Sequence, residues 1–269
     1  MQTELLRQAR RIGALVAMVM AMPVAQAQGF AAYVSPPRVV ELATPGRPLR
    51  QVIEIQHVGR QKGHYRLYTN DWTLRPDQAV VFSDELASDS CRPWVAIERR
   101  ELTLEPGARY RYRFEVTPPA GTPARECRFA LMVEGVEAAR VQGAVNFPVG
   151  GRIGVIVYVA VGGAAPALSL AGTRVSSVNG KPAPMLLVHN SGTAHGRLEG
   201  FVTAIDADGR RIELAPADLP ILPGETRLVA LAPVVETGQP VPDIRYPLQV
   251  KGTLEWGKSM LTLDTSFAP

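Results

Sequence analysis

The side chains of this chain that could do acid–base or metal chemistry are its histidines and one pair of aspartates. The histidines, each in or beside a predicted strand-end loop, are His57, His64, His189 and His195. His189 and His195 could share a metal ion, but no cysteine or carboxylate cluster with ligand spacing accompanies them. Asp206 and Asp208 stand in an Asp-Ala-Asp-Gly sequence, which is typical of a hairpin turn. These residues therefore indicate turns, and we predict no metal site.

Motifs that hold a nucleophile or a phosphate are also missing from the sequence. It contains no Gly-x-Ser-x-Gly elbow, no glycine-rich phosphate loop and no His-Glu-x-x-His zinc motif. We therefore expect a protein that is not an enzyme and that uses no cofactor and no nucleotide. The formal net charge is +4, but acidic residues are interspersed among the arginines, as in Glu98-Arg-Arg-Glu101, so we expect no nucleic-acid partner.

The N-terminus has the pattern of a secretory signal peptide. Residues 1–27 combine arginines, the apolar run 12–22 and a small-residue site at Ala25-Gln-Ala27. The apolar run is about half the roughly 20 residues needed to cross a bilayer. We expect a mature chain that starts at Gln28 and is exported. In an oxidising compartment Cys91 and Cys127 would pair, and neither lies in a redox or nucleophile motif that would favour the alternative of a reactive cysteine.

Nearly every segment of the mature chain has the character of a short β-strand bounded by glycine and proline turns. The segment 109–116 alternates strictly, with Tyr110, Tyr112, Phe114 and Val116 on one side and charged residues on the other. This pattern predicts a half-buried antiparallel strand. No stretch shows a sustained helical period. The fold class we predict is all-β.

The two halves of the chain resemble each other. Leu104-Glu-Pro-Gly-Ala-Arg109 and Leu222-Pro-Gly-Glu-Thr-Arg227 each precede a predicted strand, and Gly162-Gly-Ala-Ala-Pro166 interrupts the strands between the halves. The number and spacing of strands are those of immunoglobulin-like sandwiches. We therefore predict an immunoglobulin-like β-sandwich domain over residues 28–161, a hinge over 162–167 and a second such domain over 168–269.

The segment 144–161 is unusual because its second half is apolar on both strand faces. Such a strand does not lie at an exposed sheet edge. It is either central to a buried sheet, or a face or edge of it is kept for a partner that supplies what the fold lacks.

Three sequence pieces resemble the periplasmic pilus chaperones of the chaperone–usher pathway. They are Val34-Ser-Pro-Pro-Arg38-Val-Val near the mature N-terminus, Leu104-Glu-Pro-Gly-Ala-Arg109 before a strand that ends at Thr117-Pro118, and Arg152-Ile-Gly-Val-Ile-Val-Tyr158 at the end of the first half. The resemblance implies two immunoglobulin-like domains arranged as a boomerang, in the periplasm. It implies that the protein binds, folds and caps pilin subunits and delivers them to an outer-membrane usher.

The resemblance also implies a site for the subunit's C-terminal carboxylate. Arg38 matches the family's basic residue on the first strand. The family's second anchor is a lysine on the last strand of the first domain, and here that position is Val155 or Gly154. Arg152 is the nearest base and would substitute if the strand register is shifted. This departure is of the kind expected in a divergent branch, such as the one that works with spore-coat-U-like subunits.

In this family the chaperone lends a strand to an incomplete subunit by β-augmentation. The donor side chains implied for this chain are Val145, Phe147 and Val149. The register could also be the even-numbered one, or could run into Ile153, Val155 and Val157. Alternatively, these side chains complete the protein's own core.

Other features stay open at this level. Without a nucleotide site, release would come from exchange with another subunit's strand. The free protein could cap itself as a dimer. The second functional hypothesis is a secreted two-sandwich adhesion or structural module without chaperone activity.

Overall fold

The computed structural model describes residues 30–75, 79–136, 150–178 and 180–269, so the predicted signal peptide lies outside the described residues. Among those residues, no helix is long and apolar enough to cross a membrane. Regular structure there is β-strand throughout, except for a short 3-10 helix at Arg92–Trp94. The predicted all-β class is confirmed.

The N-terminal half forms two sheets that face each other across one core. Its strands are β1 (Ala32–Ser35), β2 (Arg38–Ala43), β3 (Leu49–His57), β4 (Gly63–Leu74), β5 (Val80–Ser83), β6 (Val95–Ile97), β7 (Glu101–Leu104), β8 (Arg109–Val116), β9 (Arg125–Gly135) and β10 (Arg152–Val161). The four-stranded sheet has the order β1-β3-β8-β6. The six-stranded sheet has the order β2-β10-β9-β4-β5, with β7 also paired to β4. This arrangement is the β-sandwich that the sequence predicts.

Strand β8 shows why the sandwich forms. Tyr112, Phe114 and Val116 are buried in the core, while Arg111 and Arg113 are exposed. Phe114 meets Phe129 of the opposite sheet edge to face, with ring centroids 5.9 Å apart. The alternation read from the sequence is thus realised, and apolar burial of this kind drives the two sheets together.

The disulfide between Cys91 and Cys127 is present and joins residues 36 positions apart. Both cysteines are fully buried. The bond ties the segment before the 3-10 helix to β9, and confirms the predicted pairing.

The C-terminal half forms one seven-stranded path in the order β11-β12-β15-β14-β13-β16-β17. Its strands are β11 (Leu168–Val178), β12 (Lys181–Asn190), β13 (Val202–Ile205), β14 (Arg211–Pro216), β15 (Thr226–Pro233), β16 (Leu248–Trp256) and β17 (Ser259–Phe267). The first and last strands, β11 and β17, contact each other. The sheet therefore encloses its own core, which is separate from that of the N-terminal half.

The strand that is apolar on both faces, β10, lies between β2 and β9 in the six-stranded sheet. On one face Val155, Val157 and Val159 fill the core of the N-terminal half. On the other face Tyr158 and Ala160 are also buried, because residues of the C-terminal half pack over them. From Ile156 to Val161 this strand is therefore central to a buried sheet, which is one of the two alternatives left open by its sequence.

Candidate functional site

Arg38 lies where the two halves of the molecule meet. The chain passes from β1, in the four-stranded sheet, through Pro36-Pro37 into β2 at the edge of the other sheet. Proline fixes the backbone of this crossing and offers no N–H to a ladder, so β2 begins at Arg38. There Arg38 is paired in parallel with Ile156 of β10, and its side chain is 40% exposed.

Two guanidinium groups converge on the carboxylate of Asp218. Arg38 Nη1 lies 3.1 Å from Asp218 Oδ2, and Arg197 Nη1 lies 2.7 Å from Oδ1. Arg197 Nη1 also donates to the backbone carbonyl of Asp218, at 3.0 Å. Arg38 comes from β2, whereas Arg197 and Asp218 come from loops of the C-terminal half. The contact therefore links the two halves through one carboxylate.

Arg197 is the more buried of the two cations and has contacts on several sides. Its side chain is only 12% exposed. Its guanidinium lies over the ring of Tyr158, 5.9 Å from the centroid, and Nη2 is 3.4 Å from the Tyr158 hydroxyl. Its Nε is buried and has no hydrogen-bond partner.

The electrostatics of the site favour an anion. Partial burial acts to raise the pKa of Asp218, but the charges of Arg197 and Arg38 outweigh it and hold that pKa below the ordinary value. A carboxylate at this point is therefore ionised at neutral pH.

A second contact between the halves fixes their orientation. Nδ1 of His195 lies 2.5 Å from Oε2 of Glu126, and the backbone N–H of His195 donates to the same oxygen at 3.0 Å. The His195 ring stacks on Tyr158, with centroids 3.7 Å apart. Both members of the pair are buried. Since His195 is two residues before Arg197, this contact also sets where Arg197 lies.

Arg152, the predicted substitute for the second anchor, does not reach this site. It stands four positions before Ile156 on β10, and a strand rises about 3.3 Å per residue, which puts it roughly 13 Å from the position opposite Arg38. Its guanidinium lies over the ring of Phe82 instead, 5.9 Å from the centroid. The structure thus has no shifted register, and the cation that joins Arg38 is Arg197.

The two positions on β10 that the sequence motifs pointed to, Val155 and Gly154, carry no base here. Val155 is fully buried in the core. At Gly154 a Cβ atom would come within 2.4 Å of the Phe82 ring, so a longer side chain would displace that ring.

The predicted donor side chains fall into two groups. Val145, Phe147 and Val149 lie outside the described residues. Val155 and Val157 are 0% and 1% exposed, and Ile153 packs against the same core. In this structure Val155 and Val157 fill the protein's own sandwich, and Ile153 is half-buried against it.

The backbone of β10 pairs with β2 over only part of its length. Its pairing with β2 begins at Ile156, where the N–H donates to the carbonyl of Pro37 at 3.1 Å. From Arg152 to Val155 the strand pairs with β9 alone among the described residues. The chain reaches this stretch from residues 137–149, which lie outside the described residues.

The histidines take part in local contacts. His57 lies 2.5 Å from the Tyr65 hydroxyl, and His189 Nδ1 lies 2.9 Å from the Thr226 hydroxyl. Within the described parts of the chain, no group of three or more histidine, cysteine, aspartate or glutamate side chains is placed to hold a metal ion.

Sequence reasoning missed Arg197, Asp218, and the pair of Glu126 with His195. Each is a common residue type in a loop or strand without a motif, and Arg38 and Asp218 are 180 positions apart. Only the three-dimensional arrangement brings them together.

No protein-family model and no curated protein sequence matches this chain. Among solved structures it is similar to the class 5 fimbriae chaperone CfaA, at 11% identity and a TM-score of 0.48, over 88% of this chain and 99% of that one. It is similar to the Pseudomonas aeruginosa CupB2 chaperone, at 11% identity and a TM-score of 0.45, over 88% of this chain and 100% of that one. It is also similar to a chain in the complex of the Salmonella enterica SafA pilin with the SafB chaperone, at 11% identity and a TM-score of 0.47, over 89% of this chain and 99% of that one.

Proposed function

We propose that this protein is a periplasmic chaperone that binds, folds and caps pilus subunits and delivers them to an outer-membrane usher. The observation that carries the proposal is the convergence of two guanidinium groups, one from each half, on a single carboxylate. A subunit's C-terminal carboxylate is a chemical match for that position. The proposed organisation is a signal peptide over 1–27, domains over 28–161 and 168–269, and a hinge over 162–167; the two separate cores support it.

In this proposal Arg38 and Arg197 form the carboxylate anchor. Arginine holds a carboxylate with paired hydrogen bonds, and a hydrogen bond to a charged group contributes about 1.5 to 3 kcal/mol. Arg197 is partly desolvated, which favours it as the stronger half of the pair. Two cations from different halves can recognise a chain end only while the halves keep their orientation, and the contact of His195 with Glu126 provides for that.

Subunit capture would use β-augmentation along the β10 edge. Among the described residues the stretch Arg152 to Val155 pairs with β9 alone, so its other edge is the proposed starting place for a partner strand, and pairing would continue into the segment that carries Val145, Phe147 and Val149. Those three side chains are the proposed donors, since Val155 and Val157 are occupied in the core. No nucleotide takes part, so a subunit would leave by exchange with the strand of another subunit.

The test is periplasmic co-expression of the tagged protein with each candidate subunit from its own operon, followed by pull-down and quantification of the complex. Arg38→Ala and Arg197→Ala should each weaken capture by roughly 10- to 150-fold, which is the ratio that corresponds to the 1.5 to 3 kcal/mol above.

The matched control is Arg50→Ala. Arg50 also pairs with one carboxylate, that of Glu115 at 2.8 Å, but it lies in the four-stranded sheet and is 79% exposed. If Arg50→Ala still captures the subunit while the other two variants do not, the result supports Arg38 and Arg197 as the anchor. If the wild-type protein captures no subunit, the chaperone proposal is wrong. If all three variants capture equally well, the anchor is wrong.

A further inference from the structure

We propose that Asp218 is an internal competitor that occupies the carboxylate anchor until a partner's carboxylate displaces it. The inference rests on the proposed function, because it concerns the same site. It adds a residue that sets how tightly, and how selectively, a chain end can bind there.

The geometry carries the first step. The Asp218 side chain places the same chemical group, a carboxylate on a short carbon stem, between Arg38 and Arg197 that a chain terminus would place there. Its two oxygens are divided between the two cations, at 3.1 Å and 2.7 Å. A second carboxylate could not join without facing a like charge at close range, which is unfavourable. The two carboxylates therefore exclude each other.

Exposure carries the second step, because a competitor must be able to leave. The Asp218 side chain is 68% exposed and Arg38 is 40% exposed, so their contact is a surface ion pair, which is weak; the contact with the 12% exposed Arg197 is the one that a partner carboxylate has to replace. When the side chain turns out into solvent, its carboxylate regains full hydration.

The third step is that the anchor would keep its shape after Asp218 turns away. Arg197 donates to the backbone carbonyl of Asp218 as well as to its side chain, so the loop can remain attached. The preceding residue, Ala217, is fixed by a backbone hydrogen bond to Ala230 at 2.9 Å. Arg197 itself is held by Tyr158. Only the Asp218 carboxylate has to move.

This arrangement sets a threshold for binding. An isolated carboxylate gains little at the anchor, since it replaces a group of the same kind. A subunit that also adds a strand along β10 has enough additional binding energy to displace Asp218. The competitor therefore discriminates against free chain ends that lack the rest of the subunit.

The test is a titration of the purified mature protein with two probes: an N-acetylated alanine tripeptide with a free C-terminal carboxylate, and the same tripeptide as its C-terminal amide. NMR signals of the arginine Nε–H groups report binding. Asp218→Asn keeps the shape and removes the charge, and it should bind the carboxylate probe about 3- to 10-fold more tightly than wild type. The amide probe should show no such gain.

The control is Asp264→Asn. Asp264 is an equally exposed aspartate, paired with Lys251 at 3.1 Å, on the last strands of the C-terminal half. Asp218→Ser is a second variant without the carboxylate, and a thermal melt of each variant shows whether a substitution disturbs folding. If both Asp218 variants bind the carboxylate probe no better than wild type does, or if they do not prefer it to the amide, Asp218 is not a competitor. That result leaves subunit capture to be judged by the pull-down with Arg38→Ala, so the two proposals can fail separately.

Discussion

Truncating Val155 or Val157 tests whether β10 serves the protein's own core or a partner. Their side chains are 0% and 1% exposed and belong to the core of the N-terminal half. Val→Ala removes two methyl groups, at about 0.8 kcal/mol for each buried carbon, and leaves a cavity that the packed sheets cannot fully close. We therefore expect each variant to lower the free energy of unfolding by about 1.5 to 3 kcal/mol.

The measurement is guanidinium chloride unfolding of the mature, oxidised protein, followed by tryptophan fluorescence. Trp72 and Trp94 report on the N-terminal half and Trp256 on the C-terminal half, so a two-step curve can be assigned. The matched control is Val229→Ala, because Val229 is 1% exposed in the other core. It should shift the C-terminal transition and leave the N-terminal one in place.

The opposite result would refute this reasoning. If Val155→Ala and Val157→Ala leave the N-terminal transition unchanged but abolish subunit capture, these side chains fill a partner's groove rather than the core. The sequence alone leaves both readings open, and this pair of readouts separates them.

Three further predictions follow from the described contacts. Reduction of the disulfide between Cys91 and Cys127 should lower stability by about 3 to 4 kcal/mol, seen as an earlier thermal melt; an unchanged melt would contradict this. Burial raises the pKa of Tyr65 and Tyr112 from 10.0 to about 12, so the stability that these groups contribute below pH 10 should be lost as the pH rises through 12. Denaturant midpoints at pH 9 and pH 11.5 test this. Tyr→Phe at either position should reduce the loss. Asn190→Ala should lower the free energy of unfolding by about 2 to 4 kcal/mol, because the buried amide accepts from two backbone N–H groups and donates to two backbone carbonyls. A change near zero in chemical unfolding, as expected for a residue in an exposed loop, would contradict this.

Local pattern was enough to predict the strands. The alternation of Tyr112, Phe114 and Val116 with arginines is set by the two-residue period of a strand, so it can be read without knowing the partner sheet. The cysteine pairing was predictable for a similar reason, since a chain with two cysteines in an oxidising compartment has one way to pair them.

The site depended on register and on the docking of the halves, which local pattern does not contain. Arg152 and Arg38 look compatible in the sequence, but the parallel pairing places Ile156, not Arg152, opposite Arg38. Arg197 gives no sequence signal because its role depends on Tyr158 and Asp218, which come from distant parts of the chain. The steric exclusion at Gly154 is also visible only once the Phe82 ring is in place.

The apolar character of β10 on both faces and the position of the anchor have one physical origin. One face of β10 must be apolar to close the N-terminal sandwich, and the other must be apolar because the C-terminal half docks on it. Tyr158 stands at the centre of that second face, where it meets Trp72 edge to face, stacks on His195 and lies under Arg197. The packing that requires β10 to be apolar on both faces therefore also holds Arg197 beside Arg38. A substitution that loosens Tyr158 should move one cation of the anchor and leave the other in place.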